Sequence, residues 1–134
     1  QNKLGINCSV NNIIGFPDET RELAFETVEI NRRFNTDSVG CSIFVPFHGT
    51  ELREYAESKG YVAPGAICSV SMADQSMLNM PQWDKVDMAR FRDVFSMYVK
   101  FPKSRWPEIA KAETDRDLYD KLHKLSFSLP NPIK

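Results

Sequence analysis

Two junctions of one build, about thirty residues apart, limit what this chain can fold into. In the first, an apolar run ending at Ile13 and Ile14 meets Gly15-Phe16-Pro17, then Asp18, Glu19 and Thr20, and a helical pattern opens. In the second, Cys41-Ser42-Ile43-Phe44-Val45 runs into Pro46-Phe47-His48-Gly49-Thr50, and Glu51 to Ala56 continues as helix. A strand that ends in a Gly/Pro turn and feeds an amphipathic helix is a βα unit. Two in succession predict parallel strands whose C-terminal loops face a ligand.

The pattern around these junctions assigns the remaining elements. A strand is expected from Ile6 to Ile14, with Asn7, Ser9 and Asn11 on one face, as suits a strand that lines a solvated barrel interior. The first helix is expected from about Arg21 to Arg33 with Leu23, Thr27, Ile30 and Phe34 as its apolar stripe, Ala24 and Val28 beside it, and Glu22, Glu26, Glu29, Arg32 and Arg33 opposite. Asp18, Glu19 and Thr20 supply acids and a cap where open amides favour them. Ser38 to Val45 forms the second strand. Thr50 caps a second helix that stops at Gly60 in the left-handed region.

Beyond Tyr61 the βα rhythm ends. A turn-rich stretch from Ser69 to Asp84 carries Met72, Met77, Met80 and Trp83 and precedes a helix of about Lys85 to Lys100. Its stripe is Met88, Phe91, Phe95 and Tyr98, widened by Val94 and Val99, and Phe101-Pro102 stops it. A short helix begins near Ser104, with Trp106 and Ile109 inward, and a last one carries Leu118, Leu122 and Leu125, with Thr114 and Asp117 in capping-box spacing.

With 17 basic and 18 acidic residues in 134, the chain has no polyelectrolyte character, so its composition gives no case for nucleic acid or an anionic membrane. No apolar run approaches the ~20 residues that cross a bilayer, and Gln1-Asn2-Lys3 is no secretory start, so a cytoplasmic location is expected. Cys8, Cys41 and Cys68 match neither a disulfide framework nor a zinc spacing and read as reduced, packed thiols. No P-loop, GxGxxG or GxSxG elbow occurs. His123 reads as a surface residue, and the methionines as core or gap filling.

Residues 11–20 (NNIIGFPDET), 42–61 (SIFVPFHGTELREYAESKGY) and 80–113 together resemble the later strands and C-terminal segment of the radical S-adenosylmethionine (radical SAM) barrel enzymes, in the branch whose members often carry a cobalamin-binding domain. The resemblance spans almost the whole chain. It implies that the first junction corresponds to a GxIxGxxE pattern that packs against the adenine of the cofactor. Ile13 and Gly15 match its Ile and second Gly, Asn11 stands at the first Gly, and the acid is Asp18 in strict spacing or Glu19 with one extra residue. It further implies that backbone groups around Phe44 and Val45 recognise the adenine. His48 stands where family members commonly have Pro, which makes it a loop residue. The family's cluster-binding CxxxCxxC is missing from this chain.

The expected fold is therefore α/β: the closing half of a partial TIM-type barrel with two βα units (residues 1–65), followed by a helical C-terminal extension (residues 66–134). The resemblance implies the C-terminal part of a radical SAM iron–sulfur oxidoreductase or methyltransferase-type enzyme. Its cofactors would be S-adenosylmethionine, a 4Fe-4S cluster and, in this branch, cobalamin. This chain would contribute Ile13, Gly15, Asp18, Glu19, Phe44 and Val45 to adenine binding, with no catalytic or metal-ligating residue and no cofactor bound by itself. Its partner would be the rest of the barrel. The alternative is a non-catalytic half-barrel that dimerises or binds a partner, since an isolated half-barrel would leave strand edges and Ile6, Val10 or Ile14 partly uncovered.

Overall fold

β1 (Ser9–Ile14) and β2 (Ser38–Ile43) pair in parallel, in register from Ser9 opposite Ser38 to Ile14 opposite Ile43. The computed structural model describes residues 7–34, 36–68 and 75–129. Among these, the two strands are accompanied by α1 (Arg21–Asn31), α2 (Glu51–Ser58), α3 (Lys85–Lys100), a 3₁₀ turn (Lys103–Arg105), α4 (Trp106–Ala112) and α5 (Arg116–Ser126). The α/β class and the parallel pairing are as expected. One strand pair does not define the curvature of a barrel. Residues 1–6, and with them the expected start of the first strand at Ile6, lie outside the described residues, as does Met72.

The pleat gives the sheet a covered and an open face. Val10, Asn12 and Ile14 with Val39, Cys41 and Ile43 turn toward the helices, and Ile14 is fully buried. Ser9, Asn11 and Ile13 with Ser38, Gly40 and Ser42 form the open face. The polar face expected from Ser9 and Asn11 is present, but Val10 and Ile14 are not on it. The apolar residue on the open side is Ile13, half exposed at 51%.

α1 departs from its expected orientation. Its buried residues are Ala24, Val28 and Asn31, whereas Leu23, Ile30 and Phe34 stay half exposed. Small side chains at 24 and 28 let the helix lie close to the sheet, and Asn31 exchanges hydrogen bonds with Asn12 of β1 (2.8 and 3.1 Å). Asn12 also donates to the Gly40 carbonyl at 3.0 Å, so the buried Asn31 and the half-buried Asn12 are both satisfied, which removes the penalty of placing them there. Thr20 caps the helix as expected, its hydroxyl accepting from the Leu23 amide.

α3 follows its stripe. Met88, Phe91, Val94, Phe95, Tyr98 and Val99 are all buried, with Asp84 as N-cap. The helix packs on β2 and α1. Phe91 lies at the centre of an aromatic group with Phe25, Trp83 and Tyr98, and its truncation to Ala is expected to cost about 3–5 kcal/mol. Two arginines tie α1 to this helix. Arg32, expected on the solvent face, instead donates to the carbonyls of Tyr98, Val99 and Phe101 at 2.7–2.8 Å and so caps the C-terminus of α3. Arg21 pairs with Asp87 (3.1 Å) and Glu113 (2.6 Å) while lying over the Phe91 ring. α5 starts from Asp115, whose carboxylate accepts from the Leu118 amide, and not from Thr114. No helix among the described residues is long and apolar enough to cross a membrane.

Candidate functional site

The loop after β1 is built by one turn and two carboxylates. The Glu19 amide donates to the Phe16 carbonyl (2.9 Å), with Pro17 at the second position of the turn and Asp18 at the third with φ 67°. Proline fixes the first central dihedral, and aspartate is among the few side chains that tolerate the left-handed second one. Gly15 has φ +81°, and a Cβ on it would lie 2.5 Å from Met88 Sδ, so glycine is required here both by conformation and by the approach of α3.

Asp18 and Glu19, the two acids that spacing alone left open, do different work. The Glu19 Oε2 accepts from the amides of Gly15 (2.5 Å) and Phe16 (2.9 Å), closing the strand end from within. Burial pushes its carboxyl above the ordinary range, and the two amides pull in the opposite direction. Asp18 points outward and accepts from the hydroxyls of Tyr55 and Tyr61, with Gln82 Nε2 at 3.5 Å. Those phenols, first Tyr55 and then Tyr61, hold its carboxyl below the ordinary range, aided by the charge of Lys59. Asp18 thereby fastens the first βα loop to α2 and to the segment that leads into α3.

The second strand end lies alongside. The Phe44 amide donates to the Ile14 carbonyl at 2.7 Å, and its ring packs on Phe16 with centroids 5.0 Å apart. Val45 is half-buried, and its carbonyl accepts from the Phe47 amide. The structure thus brings Ile13, Gly15, Phe44 and Val45 to one edge of the sheet, with Ile13 on the open face, Glu19 beneath the loop and Asp18 at its outer side. His48 is an exposed loop residue. His123 is not freely exposed: its ring stacks on Tyr119 and meets Phe127 edge-on.

The second loop owes its shape to Arg53, which the sequence reading did not single out. Only 2% exposed, it donates to the carbonyls of Pro46 and Ala63, each at 3.2 Å, and pairs with Glu57 at 2.5 Å. Cys68 donates to the same Pro46 carbonyl at 2.9 Å. The signal available in the sequence was Glu57 four residues after Arg53, a spacing that reads equally as an ion pair on the solvent face of a helix.

The cysteines occupy three separate places: Cys8 exposed before β1, Cys41 on the covered face of β2 and Cys68 after α2. Burial pushes the Cys41 thiol up to about 12. No group of three or more His, Cys, Asp or Glu that could hold a metal ion occurs among the described residues.

No family model matches the chain, and no solved structure matches it. Among curated proteins it is similar to an uncharacterized methyltransferase of Pyrococcus horikoshii, with 41% identity over 54 residues. That stretch is 40% of this chain and 12% of the relative, so the similarity reaches a methyltransferase-related protein over a small part of that protein's length.

Proposed function

We propose that the chain forms the closing part of a radical SAM barrel enzyme, in which the ends of β1 and β2 bind the adenine of S-adenosylmethionine. The observation that carries this reading is the open sheet face: polar and free of ionisable side chains along its length, it ends in the half-exposed Ile13 beside Gly15, Phe44 and Val45. An apolar contact at a strand end, next to backbone groups and on a face without charge, suits a flat neutral base. The similarity to a methyltransferase points the same way, because enzymes of that class commonly take their methyl group from S-adenosylmethionine.

In this reading residues 1–65 are barrel wall and residues 66–134 the extension that covers it. In this reading the three cysteines, Cys8 before β1, Cys41 in β2 and Cys68 after α2, are not the ligands of the 4Fe-4S cluster. The cluster, and in this branch the cobalamin, belong to other parts of the polypeptide, and the rest of the barrel is the partner of the open face. The test is calorimetric titration of S-adenosylmethionine into the complete protein that carries this segment. Ile13→Asp should weaken binding by about tenfold or more through an unpaired charge against the base, and His48→Ala should leave it within about twofold. Unchanged binding in Ile13→Asp with an intact fold would refute the assignment.

A second reading, a half-barrel that serves as an interaction domain, draws on the half-exposed Leu23 and Ile30 of α1 and Phe34 just beyond it. The chain by itself would then self-associate through apolar surface that the fold leaves uncovered.

A further inference from the structure

Phe127, just past the end of α5, has the most exposed phenyl ring of the described residues, at 74%. The ring is nonetheless held: it meets His123 edge-on with centroids 4.8 Å apart, and His123 in turn stacks on Tyr119 at 5.3 Å. A fixed, uncovered ring has the form of an interface anchor, since little rotamer freedom remains to be lost on binding. Cations surround it. Lys121 and Lys124 belong to the last turns of α5, and Lys100 donates to the Ser126 carbonyl at 3.2 Å, while the carboxylate of Asp120 is already paired with Arg116 at 3.3 Å.

The opposite character is found on α1. Phe16, Pro17, Leu23 and Ile30 line a shallow groove between the first βα loop and the helix, bordered by Glu26, with Glu22 one turn before it. Arg33, the cation on this side, lies just past the helix end. Glu26, Lys121 and Lys124 have no ion-pair partner among the described residues. We infer that a second copy of this chain covers the groove: Phe127 of one protomer seats between Phe16 and Ile30 of the next, with Lys121 and Lys124 against Glu22 and Glu26. The helical rise places the two lysines about 4.5 Å apart along α5 and the two glutamates about 6 Å apart along α1, so both pairs form at once. This rests on the reading of the chain as a self-associating domain and supplies the surface that meets α1. A contact of α1 with its own copy would instead set Glu22 and Glu26 against the same carboxylates, which like-charge repulsion opposes. Because the two surfaces differ, the contact is heterologous, and copies add head to tail or close into a ring.

Sedimentation velocity of the full chain at tens of micromolar, roughly the range in which weak contacts register, tests this. The wild type should associate, and less so as sodium chloride rises from about 0.05 to 0.5 M. Lys121→Glu/Lys124→Glu should be monomeric although α1 is untouched, and Glu22→Lys/Glu26→Lys should be monomeric although α5 is untouched. Mixing the two variants should restore association, because each supplies the charge that the other has reversed. Phe127→Ala, at a site that contributes little to the core, should weaken association about tenfold, the scale of one truncated anchor. Far-ultraviolet circular dichroism and the melting temperature verify that the variants are folded. Association as tight as the wild type's in Phe127→Ala or in Lys121→Glu/Lys124→Glu overturns the inference and leaves the self-association reading standing, as does a mixture that stays monomeric. A wild type that is monomeric at every salt concentration overturns both.

Discussion

The Sδ of Met88 lies where a side chain on Gly15 would begin: a Cβ there would stand 2.5 Å from it. The strand end that carries the adenine assignment is therefore braced from behind by α3. A change at Gly15 acts on the fold before it acts on a ligand. Gly15→Ala is expected to destabilise the chain by about 2–4 kcal/mol, combining the left-handed φ with the contact against Met88. In a Met88→Ala background the steric part disappears and the cost should fall toward the conformational 1–2 kcal/mol, roughly. Urea unfolding of the four proteins measures the coupling, and strict additivity would show that Met88 moves aside without cost.

Neighbouring acids give opposite pH dependences. Asp18, held below its ordinary value of 3.8, contributes stability that is present above that pH and lost as the pH falls through its folded value. Glu19, raised above 4.5 by burial, favours the folded state most below that pH and loses the contribution as the pH rises through its folded value. Asp18→Asn should therefore flatten the acid limb below about pH 4, whereas Glu19→Gln should flatten a decline that begins above pH 4.5. Chemical denaturation between pH 2 and 7 separates the two. Tyr61→Phe should reproduce part of the Asp18→Asn effect, since it removes one of the two phenol donors.

Arg21 joins the start of α1 to Asp87 on α3 and to Glu113 beyond α4. The Glu113 side chain is 6% exposed, so removal of the guanidinium leaves a buried carboxylate with, among the described residues, the Tyr98 hydroxyl to satisfy it. Arg21→Met should cost about 3–5 kcal/mol. Adding Glu113→Gln should recover a substantial part of that loss, to be read as a rise in the denaturation midpoint of the double variant over the single one.

The half-exposed side chains of α1 lead to a prediction about association. Leu23 and Ile30 on the helix and Phe34 just beyond its end are half exposed, and the chain by itself is expected to self-associate at tens of micromolar, roughly the range in which weak contacts register. Ile30→Asp should shift sedimentation toward the monomer without lowering stability, because Ile30 lies outside the core. A wild-type chain that sediments purely as monomer at that concentration would remove the basis for the interaction-domain reading.

Those elements that announce themselves through short-range chemistry were legible in the sequence. Thr20 and Thr50 cap their helices, Gly60 stops α2 at φ 71°, and the stripe of α3 is buried as its period requires. The inner face of α1 was misread because side-chain size outweighed hydropathy: Ala24 and Val28 permit a close approach that Leu23 and Ile30 would prevent. Arg32 could not be read as a cap, since the carbonyls it serves are 66 to 69 residues away. At the candidate site, Gly15 and the strand ends were legible as a junction. The division of labour between Asp18 and Glu19 was not, because adjacent acids in one loop fit the same spacing, and only the path of the turn decides which of them meets the amides.

The position of Arg32 at the end of α3 governs how freely this segment could be recombined. Its three carbonyl partners lie in the helical part of the chain, while the arginine itself is supplied by the crossover between the strands. A chimera that grafted residues 85–126 onto another sheet would inherit a long helix with an unfinished end. The reverse graft would carry an orphaned guanidinium. The two parts of the chain are thus interchangeable only with relatives that place an arginine at the same point of the crossover, which makes that single position a compatibility code for shuffling between homologous chains.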